Sequence, residues 1–159
     1  MKTLTAQVIT PEDLLKHWQG HRALTRRVIE LFPDKDFFEF SIGGMRPFSK
    51  LVDELLAIGS PALKGIVNRE IKPYNPEEGK LIFKAQYLEK WDEATVEINE
   101  NWQKLTIEDF NESFNLFGQY EFPIIHNIFY FIDNEVHHRG QGYVYLRALG
   151  IEPPFFWER

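Results

Sequence analysis

Apolar and small residues recur along four stretches of the chain with the alternating three-and-four step that keeps one face of a helix turned toward a core. The first stretch places Leu14, Trp18, His21, Thr25, Val28 and Phe32 inward. Thr10-Pro11-Glu12-Asp13 stands ahead of it: a capping hydroxyl, a first-turn proline, and two acids at the positive end of the helix. Pro33-Asp34 closes it, and a linker from Phe37 to Pro47, rich in aromatics and holding Gly43-Gly44, is expected to pack back on the body. The second stretch begins near Pro47 and aligns Phe48, Leu51, Leu55, Ile58 and Ala62. Gly59-Ser60-Pro61 falls inside it. A proline lacks an amide donor and crowds the preceding turn, so a kink or break is expected there.

Residues 71–80, with Pro73, Asn75-Pro76 and Gly79, read as a loop. The third stretch is the clearest, with Leu88, Trp91, Thr95, Ile98, Trp102 and Leu105 on one side and charges filling the gaps. Between Ile107 and Phe122 the pattern fits either a short hairpin about Gly118-Gln119 or an aromatic-rich loop. A last helix runs from about Pro123 to Leu149, with Ile128, Ile132, Val136, Tyr143 and Leu146 as its inward stripe; Gly150 closes it and Pro153-Pro154 follow. Together these elements predict one all-α domain over residues 1–159, an up-down-type four-helix bundle.

Composition supports a packed core and narrows the chemistry. Apolar residues make up 43 % of the 159 residues and include 14 Phe and 4 Trp, enough for a sizeable interior. With no cysteine, disulfides and thiol nucleophiles are excluded, and a metal ion would need His, carboxylate or amide ligands. A net charge of -6 offers no footprint for nucleic acid, and Arg22, Arg26 and Arg27 read as one solvated helix face. Met1 to Ala6 lacks the apolar stretch of a leader, and no run is long and apolar enough to span a membrane. A cytoplasmic protein without membrane or nucleic-acid partners is the expectation.

Projecting the last helix at about 100° per residue puts Glu135 and Arg139 inside the apolar stripe, four apart with the acid first, which reads as a structural ion pair. His138 and Asn134, also four apart, lie at its edge, whereas His126 and His137 face the other way. A bundle metal site takes its remaining ligand from a facing helix. Glu54 flanks the second stripe while Asp53 points away from it, so Glu54, Asn134 and His138 form one candidate metal set. His17 and His21 form a rival pair of ligands at the same spacing, alternatively read as an interior His21 held by hydrogen bonds. No phosphate-binding glycine loop, nucleophile elbow or zinc-protease motif occurs, and no catalytic residue is assigned.

The run Asp133-Asn134-Glu135-Val136-His137-His138-Arg139-Gly140-Gln141, followed by Tyr145-Leu146-Arg147, resembles the last-helix signature of the DinB/YfiT-like family, named as DNA-damage-inducible. Met45-Arg46-Pro47-Phe48 and Gly150-Ile151-Glu152-Pro153-Pro154 are similar to the same family, so the resemblance covers essentially the whole chain. It implies a four-helix bundle, commonly a homodimer, with a divalent ion (Zn, Ni, Mn or Fe) held by three histidines. At the matching positions this chain carries Glu54, Asn134 and His138, keeping one of the three histidines. The resemblance further implies an enzyme of the small-thiol transferase or hydrolase type, in which the ion activates a thiol or water by lowering its pKa. The alternative is a metal-free, non-catalytic stress-response or binding protein of the same fold.

Overall fold

The computed structural model describes residues 8–77 and 79–159, so the reading of Met1 to Ala6 lies outside the described residues. Among the described residues, five α-helices form: α1 (Pro11–Leu31), α2 (Asp34–Glu39), α3 (Phe48–Asn68), α4 (Lys84–Trp102) and α5 (Ile124–Ala148). A 3-10 turn (Asp109–Asn111) and a hairpin of β1 (Ser113–Leu116) and β2 (Tyr120–Pro123) precede α5. α1 starts as its sequence dictates: the Thr10 hydroxyl accepts from the Asp13 amide at 3.0 Å while the Asp13 carboxylate accepts from the Thr10 amide. All six inward positions of this helix are buried.

The long helices close a four-membered ring in which α1 and α3 each pack against both α4 and α5. The chain therefore crosses the end of the bundle between α1 and α3, and α2 lies on that crossing. It was not legible as a helix because six residues leave too little periodicity, yet it buries Phe37 completely against Phe32, Phe48 and Tyr87. The fold class is the predicted one, and the open choice before α5 resolves as a hairpin. Phe114 pairs with Phe122 and Leu116 with Tyr120; Phe114 and Leu116 turn inward while Tyr120 and Phe122 face solvent.

Several expectations need correction. α3 does not break at Gly59-Ser60-Pro61 but continues to Asn68. Pro61 lies on the exposed face, beside a groove, so the carbonyl of Ala57 that loses its donor stays within reach of water. Leu105 falls beyond the end of α4. On α5 the stripe is rotated. Val136 is exposed and Tyr143 only half-buried, while Phe131 and Tyr145 are buried. Asp53, expected to point away from the core, is buried at the α3–α4 side.

The core has two apolar halves. Leu14, Trp18, Ile58, Ile98, Trp102, Ile128 and Phe131 belong to one; Val28, Phe32, Phe48, Leu51, Tyr87, Trp91, Tyr145 and Leu146 belong to the other. Between them along the helices lies a polar layer of His21, Arg22, Thr25, Glu135 and Arg139, all buried.

Candidate functional site

Helix periodicity brings the chemistry together at the level of this layer. α5 turns Glu135 and Arg139 toward α1, and the adjacent His138 toward α3. On the α1 side the Thr25 hydroxyl lies 2.6 Å from Glu135 Oε1 and accepts from Arg139 Nη1 at 3.1 Å. Arg139 and Glu135 approach to 3.9 Å, as their spacing implied. The solvated-face reading fails for Arg22: it is buried, donates to the Trp91 carbonyl and the Thr95 hydroxyl at 2.9 Å each, and stacks 4.0 Å over the Trp91 ring. Arg26 and Arg27 are both half-buried: Arg26 pairs with Asp92 and Glu30 at 2.7 Å at the surface, and Arg27 donates to the carbonyl of Glu158. Burial pushes the Glu135 carboxyl up, and Arg22, the Thr25 hydroxyl, Arg139 and the Trp18 indole pull back against it.

The rival pair is also placed. His21 Nδ1 faces Arg139 Nη2 at 2.8 Å, and a guanidinium only donates, so Nδ1 accepts and Nε2 carries the hydrogen. That hydrogen points to His17 Nε2, 3.2 Å away. A ring nitrogen that donates has no lone pair for an ion, and the Nδ1 lone pair is taken by Arg139, so His21 in this arrangement offers no free ligand atom. Burial first, then Arg139, His17 and Arg159, bring the His21 pKa down to about 4. The reading of His21 as an interior, hydrogen-bonded histidine describes this arrangement.

On the α3 side Glu54 and His138 meet: Glu54 Oε1 lies 2.9 Å from His138 Nε2. Two partners not singled out from the sequence complete the group. Arg46 donates from Nη2 to Glu54 Oε2 at 2.7 Å, and Gln141 Oε1 lies 2.9 Å from His138 Nδ1. Gln141 follows His138 by three residues and was findable by helical spacing; Arg46 lies before α3, where no periodicity ties it to Glu54. Burial alone would raise Glu54, but the hydrogen bonds and charges of Arg46 and His138 hold it below its usual range. Tyr130 stands close enough for the Glu54 charge to help burial in raising its hydroxyl pKa. Asn134 has its amide nitrogen buried with no hydrogen-bond partner. His126 and His137 are exposed, as expected.

This donor set fits a divalent transition metal poorly. Both oxygens of the carboxylate are engaged, one by a permanent cation, and both imidazole nitrogens face oxygen acceptors. Among the described residues, no group of three or more His, Cys, Asp or Glu is disposed to hold an ion. These contacts tie the α2–α3 loop, α3 and α5 together.

The sequence model of the DinB family matches residues 1–158. The chain belongs to the DinB family. Two solved structures of DinB-like proteins share its fold. One, from Bacillus cereus ATCC 10987, is 16 % identical with a TM-score of 0.76, over 91 % of this chain and 95 % of that one. The other, YjoA from Bacillus subtilis, is 21 % identical with a TM-score of 0.70, over 92 % of this chain and 99 % of its own. No curated protein matches the chain. In this DinB-family chain, no helix among the described residues is long and apolar enough to cross a membrane.

Proposed function

We propose that this DinB-family protein works without a resident divalent ion, as a binding or stress-response protein rather than a metalloenzyme. The observation that carries this reading is the double engagement of Glu54, by Arg46 on one oxygen and His138 on the other. A guanidinium beside the carboxylate opposes a second cation there, and it supplies the charge balance that an ion would otherwise give. A homodimer belongs to the same reading, on the family resemblance.

The metal-dependent reading keeps one observation in its favour: Glu54 and His138 converge, one turn along α5 from Asn134. In that reading Glu54, Asn134 and His138 hold Zn, Ni, Mn or Fe, and the substrate is a small thiol or a hydrolysable small molecule.

Metal analysis of protein purified without a nickel column separates the two. The expected result is no stoichiometric divalent ion and no rise in melting temperature on adding Zn, Ni, Mn or Fe(II), since an ion that binds only the folded state must stabilise it. A stoichiometric ion that disappears in both Glu54→Ala and His138→Ala would overturn the proposal and establish the alternative.

A further inference from the structure

After α5 the chain turns back along α1. Arg27 donates to the Glu158 carbonyl, and Gly20 admits the chain so closely that a Cβ there would stand 3.1 Å from Arg159 Cβ. Phe155, Phe156 and Trp157 lie on this returning segment at 50 %, 60 % and 62 % exposure. They are ordered against one another: Phe155 and Trp157 stack with centroids 4.7 Å apart, and Phe156 meets Trp157 edge-on at 5.3 Å. Three consecutive exposed aromatics in fixed mutual geometry present ring faces to solvent at a cost in unburied apolar area.

Beside them runs a groove of about 630 Å³. Its apolar lining is Leu31, Pro153, Pro154 and Phe155, and its charged rim is Glu30, Glu152 and Glu158 against Arg27. Arg27 is turned to the Glu158 backbone and Glu30 is paired with Arg26. Among the described residues the carboxylates of Glu152 and Glu158 have no ion-pair partner. Ring faces attract cations and unpaired carboxylates attract them too, so two separate features select the same ligand charge.

The geometry points to this face as a docking site for a basic, apolar peptide segment of a partner protein, its arginine or lysine side chains lying over Phe155 and Trp157 and against Glu152 and Glu158. The apolar positions of the peptide occupy the groove at Leu31 and Pro154.

Trp157 makes the test site-specific, because Trp18, Trp91 and Trp102 are all buried. The probe is a short synthetic peptide alternating arginine and leucine, with a glutamate–leucine peptide as control. Saturable binding by anisotropy of the labelled basic peptide is expected, with Trp157 becoming shielded from iodide. Affinity should fall with added salt, and by about tenfold or more in both Phe155→Ala/Trp157→Ala and Glu152→Gln/Glu158→Gln. Equal binding of the acidic peptide, no saturable binding, or unchanged affinity in both double variants would each overturn the inference. So would a wild-type dimer that sediments as a monomer in Phe155→Ala/Trp157→Ala, since the face would then be covered by a second copy. Iodide shielding in the unmutated protein keeps the inference open to refutation should a variant fold poorly, and none of these readouts depends on the Glu54–His138 cluster.

Discussion

At the residue scale, Glu135 faces two guanidiniums across a layer from which water is largely removed. Its oxygens lie 3.9 Å from Arg139 and 4.0 Å from Arg22, with Thr25 bridging. Removing the acid leaves two buried cations without an opposing charge, so Glu135→Leu is expected to cost about 3–5 kcal/mol in urea unfolding. Thr25→Val keeps the volume and removes one shared hydroxyl, for a smaller loss of about 1–3 kcal/mol. A neutral Glu135→Leu would mean that the arginines find other partners. The Glu135–Arg139 half of this group was legible in the sequence because both lie on one helix four residues apart. Arg22 was not, since the ring and carbonyl of Trp91 that hold it come from α4, and no local pattern connects them.

At the scale of the element, α5 shows why a helix buried on two sides misleads a single-stripe reading. It packs against both α1 and α3, so its buried arc is wide and includes Glu135, His138 and Arg139. Their polarity draws the apparent apolar axis toward Val136. The two glycines of the same helix have opposite roles. A Cβ on Gly142 would lie 2.6, 2.9 and 3.0 Å from carbons of the Phe48 ring, and that ring is stacked 4.7 Å from Phe32. Gly142→Ala therefore forces α3 and α5 apart and should destabilise by about 1–3 kcal/mol despite the better helix propensity of alanine. Gly140, inside the family run, has open space where its Cβ would go, and Gly140→Ala should stabilise by up to about 1 kcal/mol. Paired melting curves read both signs at once, and a stabilised Gly142→Ala would refute the close approach.

For the whole molecule, the coupling of the layer to pH is set mainly by His21. Its folded pKa of about 4 lies below the ordinary 6.5, so the unfolded chain takes the proton first. Stability is unaffected above about pH 6.5, falls as the pH drops through the interval, and the full loss of up to about 3 kcal/mol is reached below about pH 4. His17, lowered by burial and Arg159, adds in the same direction. Glu135, raised by burial, takes its proton earlier in the folded state and offsets part of the loss. Urea titrations between pH 7 and 4 should show this slope, and His21→Gln should flatten it.

The division of the interior into two apolar halves by a charged layer also fixes how the helices line up lengthwise. Apolar side chains alone tolerate sliding, because one leucine or phenylalanine substitutes for another a turn away. Here a shift of α1 by one turn, about 5.4 Å, would carry Arg22 off its carbonyl and ring and Thr25 off Glu135, setting charge against Trp18 or Val28. The layer thus works as a notch that admits one axial alignment of the bundle and penalises every neighbouring one.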